Sequence, residues 1–402
     1  MSTTESAIVI GGGIAGPVTA TALLKAGISA RVYEAYAGPT FTIGSGLALA
    51  PNGVAALDLI GAGDPVRAIA KPISRMELSI GGKTVPTPSP EGLPPLQMVD
   101  RNELHRVLHD HAIAAGVPFE YEKRLVRTAE SDSGVTAYFA DGSSATADVL
   151  IGADGVRSTV RGLIDPANPG PEYTGMLGFG ALIDNELGLM PGTMVFAFGT
   201  RAYYLYAVLD EKTILWGANL PHREYLSLTD ARAMPAEHWL DQLRETYGAD
   251  SPGGTFARRT TPDNLEITGA LHIMPPVPRW HRGRLVLVGD AVHAPSNSSG
   301  QGASLAVESA VQLARCLRDL PDPGSAFAAY EELRRARVEG VAARARKLNH
   351  SKTPGPLARR LMSVLMPMMI KRMDPEQTLG VEQRYRIDWD APVQPELVSA
   401  AG

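Results

Sequence analysis

Six residues near the start of the chain have the types and spacing of a phosphate site. Gly11-Gly12-Gly13-Ile14-Ala15-Gly16 reads G-x-G-x-x-G. Gly11 permits a tight turn, Gly13 removes the Cβ that would block a pyrophosphate, and Gly16 lets a helix pack closely on a strand. A helix opening at Ile14 and Ala15 turns its unpaired N–H groups and positive dipole end toward an anion. Glu34 follows about 20 residues later, at the distance expected of the acidic residue that accepts ribose hydroxyls. A carboxylate there also repels a 2′-phosphate. The chemistry is dinucleotide binding, and this fingerprint alone does not say which dinucleotide.

The elements that must position those residues are legible around them. Residues 7–10 are a short apolar run that ends in glycines, and residues 14–26 are alanine-rich. They read as strand, turn and helix, and residues 31–34 read as the next strand. Such a βαβ unit implies a parallel sheet. Prolines and glycines then cluster at 83–95, which marks an excursion from the first domain. Residues 102–115 carry Leu104, Val107 and Leu108 at helical spacing. Residues 124–148 alternate as β-structure, 173–220 are strand-like, and 285–288 form another buried strand. Helices are expected at about 303–317 and 327–348. The expected fold class is α/β, with a discontinuous Rossmann-like domain and a parallel sheet (1–75, 98–170 and 275–350). A β-rich substrate domain (76–97 and 171–274) is inserted into it, and a C-terminal helical tail segment covers 351–402.

Three further runs carry chemistry-bearing residues. Arg101 stands in Val99-Asp100-Arg101-Asn102-Glu103-Leu104. Asp154 stands in Ile151-Gly152-Ala153-Asp154-Gly155-Val156-Arg157-Ser158. Gly289 and Asp290 open Gly289-Asp290-Ala291-Val292-His293, and Gly300-Gln301-Gly302-Ala303 follows. In this order and spacing, the chain resembles the single-component class A flavoprotein monooxygenases, which share the para-hydroxybenzoate hydroxylase fold. The resemblance runs from about residue 6 to residue 350.

The resemblance implies FAD as the bound cofactor and NADH or NADPH as a reductant that visits and leaves. It implies that Arg101 reaches the FAD pyrophosphate or nearby flavin atoms. Asp154 would serve FAD binding indirectly and the transient nicotinamide nucleotide as well. Asp290 would accept hydrogen bonds from ribityl or ribose hydroxyls, with Gly289 allowing the close approach. Gly46, in Gly44-Ser45-Gly46-Leu47, resembles the loop beside the isoalloxazine ring. Free N–H groups at Gly300, Gln301, Gly302 and Ala303 would face the N1–C2=O edge, where reduced flavin carries negative charge. The implied reaction is transfer of one oxygen atom from O2 through a flavin C4a-hydroperoxide, hydroxylating or epoxidising an aromatic or polycyclic small molecule. The cofactor then carries the difficult chemistry, and no acid or base is named. His293 reads as a packing residue.

Two positions depart from the family pattern. Asn297 stands where a proline is common near the flavin, so the loop is more polar. Gly180 stands where members that take small aromatic acids carry an arginine, so an anionic benzoate-like substrate is disfavoured. Phe198, Tyr204 and Trp216, with Asn297, are the candidate substrate contacts, since aromatic side chains suit such a pocket. A flavin-dependent halogenase would carry Trp-x-Trp-x-Ile-Pro, and the nearest stretch here is Trp216-Gly217-Ala218-Asn219-Leu220-Pro221. A flavin dehydrogenase or reductase of the same superfamily is the alternative, followed by a non-catalytic flavin-binding or substrate-binding protein of a pathway.

Bulk composition narrows the field. A net charge of -5 gives no basic excess for nucleic acid. The single cysteine, Cys316, cannot make an internal disulfide. The histidines are scattered, so no metal site is expected. No apolar run reaches 18 residues, so no membrane span is expected. The apolar run 361–370 reads as a helix packed on the body or on another subunit. No signal peptide is legible, so a cytoplasmic enzyme of specialised metabolism, monomeric or homodimeric, is expected.

Overall fold

The computed structural model describes residues 4–39, 46–295, 299–350 and 374–394, with isolated positions between 365 and 372. In chain order the helices are α1 (Ala15–Lys25), α2 (Pro51–Leu59), α3 (Gly63–Ile69), α4 (Arg101–Ala114), α5 (Thr159–Ile164), α6 (Leu228–Ala233), α7 (Ala236–Tyr247), α8 (Gly253–Arg259), α9 (Gly302–Asp319) and α10 (Pro323–His350).

The first sheet has six strands in the order His281–Arg282, Leu285–Leu287, Val149–Gly152, Ser6–Ile10, Ser29–Tyr33 and Phe119–Glu120. Its pairings are parallel except for the edge pair between the first two. The central strands are continuous apolar runs because both faces are covered. Ile8, Val9, Leu150, Ile151, Val286 and Leu287 are all buried. α1 crosses one face, and α9 packs along it. Pro17 sits in the first turn of α1, where its missing N–H removes no helical bond.

The second sheet has seven strands in the order Glu266–Ile273, Glu172–Asp184, Thr213–Pro221, Tyr203–Val208, Thr193–Phe198, Arg75–Ile80 and Lys83–Thr87. Only the pair between Thr193–Phe198 and Arg75–Ile80 is parallel. The strands come from two stretches of the chain, because the excursion near residue 80 joins the long β-rich segment. Period-2 alternation divides the side chains between two faces. Leu177, Phe179, Val195, Tyr204, Tyr206, Ile214 and Trp216 point to one face. There α7 presents Trp239, Leu243 and Tyr247 at helical spacing, and α8 adds Phe256. Met194, Ala207 and Leu215 point to the other face and pack on Ile73 and Met98. Those two residues belong to a small sheet of Leu47–Leu49, Leu96–Val99 and Lys71–Ile73, which joins the two larger layers.

The C-terminal residues 374–394 form a strap over the first domain. Trp389 lies between Lys25 and Arg318, with cation-to-ring distances of 5.5 and 4.7 Å. Arg315 donates twice to the Ala391 carbonyl, at 3.0 and 2.7 Å. The apolar run 361–370 lies mostly outside the described residues. Within it Leu365 and Met368 are exposed and Ile370 is buried. Among the described residues no helix is long and apolar enough to cross a membrane.

Candidate active site

The glycine turn presses against the end of the strand Val149–Gly152. Gly11 has φ +102°, and its N–H donates to the Tyr33 carbonyl at 2.9 Å. A Cβ on Gly11 would lie 2.6 Å from the Ala153 carbonyl oxygen, and one on Gly16 would collide with the Gly11 carbonyl. No other type fits either position without moving backbone. Gly13 differs: nothing lies within 4 Å of where its Cβ would be. α1 opens beside that space. Its N-cap Ile14 supplies no side-chain hydrogen bond, and its first turn holds no acidic residue. The first N–H groups of α1, including that of Ala15, therefore have no capping side chain.

Glu34 sits at the end of the neighbouring strand. Its carboxylate accepts from the Gly12 N–H at 2.6 Å and from the Tyr36 N–H at 3.0 Å. The Gly12 carbonyl is 2.6 Å from Nε2 of the buried His105, which reaches the turn from α4.

Arg101 begins α4. Asp100 caps that helix, accepting from the Asn102 and Glu103 N–H groups at 2.9 Å each. The cap fixes where Arg101 leaves the backbone. The Arg101 side chain is exposed and makes no ion pair among the described residues. Asp290 lies in the turn Gly289–Ala291. Gly289 has φ +63°, and a Cβ there would lie 2.9 Å from the Cβ of Ala15, so the turn packs on the start of α1. Burial pushes the Asp290 carboxyl above the usual carboxylate range, and the charge of Arg101 opposes that rise. The turn that carries Asp290 thus packs on an uncapped helix start, and the charge of Arg101 acts on its carboxyl without an ion pair between them.

Asp154 is engaged locally. It accepts from Ser158 Oγ at 2.5 Å, the Thr159 N–H at 2.7 Å and the Val160 N–H at 3.1 Å, at the start of α5. Burial raises its pKa, and these bonds oppose the rise. The buried Arg161 follows in the same helix. It donates to the Ala291 carbonyl at 2.8 Å and the Val156 carbonyl at 2.9 Å. The Asp154 loop therefore supports the turn that carries Asp290.

The family described as FAD binding domain matches residues 4–345. An FAD-dependent urate hydroxylase of Klebsiella pneumoniae is 31% identical over 357 residues, which is 85% of this chain and 88% of that protein. A 6-hydroxynicotinate 3-monooxygenase of Bordetella bronchiseptica is 30% identical over 374 residues, 86% of this chain and 90% of that protein. The solved structure of Klebsiella pneumoniae HpxO with FAD and uric acid superimposes with a TM-score of 0.80 at 26% identity, covering 95% of this chain and 97% of that one. The chain belongs to the class A FAD-dependent monooxygenases. It has the para-hydroxybenzoate hydroxylase fold, and its cofactor is FAD.

The residues of the monooxygenase suit that cofactor. The open space at Gly13 beside uncapped N–H groups fits a pyrophosphate. Glu34, Arg101 and Asp290 have the chemistry to hold ribose, phosphate and hydroxyl groups respectively. When bound, FAD supplies two-electron redox chemistry and reaction with O2.

The start of α9 packs on the other side of the Gly289 turn, where a Cβ on Gly289 would lie 3.3 Å from the Cβ of Ala306. Gly300 has φ +59°, and Gln301 is an N-cap without a side-chain bond to the helix. Gly302 and Ala303 form the first turn. Ser304 Oγ accepts from the Ala50 N–H at 3.0 Å, which ties α9 to the start of α2. Gly46 lies against the second sheet, where a Cβ would collide with Leu215 and meet the Met98 sulfur at 3.5 Å. Gly44, Ser45 and Asn297 lie outside the described residues.

The contact at Gly46 identifies which face of the second sheet looks toward the cofactor domain. It is the Leu215 face, to which Phe196 and Leu205 also belong. Phe198 is next along on that side, packed with Ile80 and Tyr203. Tyr204 and Trp216 are not brought there. Both are buried against α7 and α8. Trp216 Nε1 donates to Thr260 Oγ1 at 3.1 Å, and its ring meets Tyr247 edge-on at 5.9 Å. Alternation was legible in the sequence, and it sends these two to the face opposite Gly46.

His293 is buried against α9, with Nε2 3.0 Å from Ser309 Oγ. Burial, and then the charge of Arg334, push its pKa down to about 3. Burial favours its neutral form, packed against α9. Among the described residues no group of three or more His, Cys, Asp or Glu side chains is placed to hold a metal ion. Sequence reasoning missed Arg161, Asn52, Glu308, Arg334 and Arg337. For Arg161 the Ser-x-x-Arg spacing after Asp154 was a usable signal. For the others there was no local one.

Proposed function

We propose that this monooxygenase accepts a hydride from NADH or NADPH onto FAD and inserts one atom of O2 into an aromatic or polycyclic small molecule, by oxygen activation at the flavin C4a position. The observation that carries this reading is the juxtaposition at Gly46, where the cofactor domain meets the apolar face of the second sheet. The relatives include enzymes named for urate and for 6-hydroxynicotinate, both polar rings. Here Met194, Phe196, Leu205 and Leu215 provide carbon and sulfur surface. Such a face favours a neutral ring system over a small anion, since an unpaired charge is expensive to desolvate there. The chain's own residues bind, orient and exclude water. We place the enzyme in the cytoplasm, where reduced nicotinamide nucleotides are supplied.

The test has two parts. Anaerobic stopped-flow reduction by NADH and by NADPH is run with a panel of phenols, indoles and polycyclic ketones, and the substrate is the compound that accelerates flavin bleaching. Turnover under 18O2 must then place one labelled atom in the product. Unlabelled product, or turnover without oxygen, would instead assign a dehydrogenase. Phe196→Ala should raise the KM for substrate several-fold, whereas Trp216→Phe should leave it unchanged, because only the first lies on the Gly46 face.

A further inference from the structure

Beneath the start of α9 lies a buried polar chain that the reaction does not explain. Glu308 is 0% exposed. Its carboxylate accepts from Arg337 twice at 2.8 Å, from Arg334 at 2.7 Å and from Asn52 Nδ2 at 2.6 Å. Burial raises the carboxyl pKa, and the two arginines with Asn52 more than reverse that, leaving it below the usual range. The second N–H of Asn52 donates to Gln301 Oε1 at 3.0 Å.

Chemistry fixes the polarity of this chain. A carboxylate only accepts, so Asn52 must turn its nitrogen toward Glu308. Asn52 Nδ2 then has one N–H left, and Gln301 must meet it with oxygen. The NH2 of Gln301 is thereby turned away from Asn52. Asn52 Oδ1 finds no partner among the described residues although the side chain is 1% exposed. Leaving a buried carbonyl unmatched is costly, so the bridge is held against its own amide's preference.

We propose that Glu308 is a positioning residue that, through Asn52, fixes the amide polarity of Gln301 and so makes the start of α9 a donor surface toward the flavin. The inference rests on the FAD reading above and deepens it. A donor surface stabilises negative charge on the reduced ring, so the relay sets the flavin potential. The C-terminal strap closes the chain from below. Arg337 also donates to the Glu382 carbonyl at 2.6 Å, Arg344 donates to Glu382 Oε1 at 2.6 Å, and Tyr385 lies under Arg337 at 4.1 Å. Glu382 and Tyr385 therefore hold Arg337 on Glu308.

The experiment measures the FAD dissociation constant and the midpoint potential of bound flavin in full-length Glu308→Gln, Asn52→Ala, Gln301→Leu and the Gln301→Leu/Glu308→Gln double variant. The potential should become more negative in each single variant. FAD affinity should fall roughly ten-fold for Glu308→Gln, the scale of one lost charge-assisted hydrogen bond. In the Gln301→Leu background, Glu308→Gln should add no further shift in potential, whatever it does to melting temperature. Trp389→Leu, which loosens the strap away from the relay, should lower the melting temperature and leave the potential unchanged. If Glu308→Gln does not fold, Asn52→Ala carries the test, because it leaves the carboxylate with both arginines. An unchanged potential in Asn52→Ala, or equal Glu308→Gln shifts in both backgrounds, overturns the relay. Wild-type protein that binds no FAD overturns the reading beneath it, and the two failures cannot be confused.

Discussion

Two helix starts carry the proposed cofactor site, and they are built in opposite ways. α1 begins at a turn made of backbone, with glycines where a Cβ would collide with a carbonyl and open space at Gly13. α9 begins at Gln301, which is held from below by an amide, a carboxylate and two arginines. The first solution removes side chains, which would let a phosphate approach the N–H groups. The second adds buried charge so that one amide keeps its orientation. A phosphate brings its own charge and needs only access. A flavin edge carries charge only once it is reduced, so in the proposed site the protein would have to fix beforehand which atoms meet it.

The difference also explains what could be read from the chain. The α1 start is six consecutive residues, and its strand, turn and helix are contiguous with it. The structure has the strand at Ser6–Ile10 and the helix at Ala15–Lys25, close to the expected 7–10 and 14–26. The long C-terminal helices were legible for the same reason. Asn52 and Glu308 are 256 positions apart, and nothing near either one says that they touch. The strap was missed likewise, because Trp389 and Val393 acquire meaning only when α1 and α9 are already side by side. In the second sheet the period was legible but its phase was not. Tyr204 and Leu205 are neighbours on one strand, and only the helices α7 and α8 decide which of them faces the cofactor domain.

The largest expected effect lies on the α9 side. Arg334→Met leaves Glu308 fully buried with one of its two arginines gone, and it also removes the donor to Ser309. Breaking a buried pair from one side costs about 3–5 kcal/mol. Urea unfolding should show that loss, while an exposed pair such as Arg201 with Glu245 should give under ~1 kcal/mol when broken. Equal losses at the two places would show that the buried cluster is no stronger anchor than a surface contact.

Gly16→Ala tests the other helix start and should be smaller in stability but larger in binding. The new methyl group meets the Gly11 carbonyl, so the turn must shift. Overpacking of this kind costs about 1–3 kcal/mol. The shift moves the N–H groups that would face the pyrophosphate, so purified protein should carry little FAD and titrate with an affinity at least ~100-fold weaker. Gly13→Ala, which meets nothing within 4 Å in the protein itself, should unfold like the wild type and still lose FAD affinity. That pair of variants separates a glycine required by the fold from one required by the ligand.

The smallest effect sits between the two helix starts, at Asp290. Burial raises its pKa in the folded protein, and Arg101 only partly offsets this. A carboxyl whose folded pKa lies above its unfolded value binds more protons folded than unfolded across that interval, so stability falls as pH rises through it. Above the interval Asp290 is ionised and destabilises the protein free of cofactor. Asp290→Asn should therefore stabilise that form at neutral pH, by about 0.5–2 kcal/mol, the range of single stabilising changes. It should also flatten the stability profile between the unfolded and folded values, and chemical denaturation at several pH values would show both. The same variant should bind FAD more weakly, because an amide oxygen accepts from a hydroxyl less strongly than a carboxylate does. A residue that is costly alone and favourable only with ligand marks a site selected for binding rather than for stability. If Asp290→Asn were instead less stable at neutral pH, the carboxylate would have to be satisfied within the protein, and its place in the cofactor site would be lost.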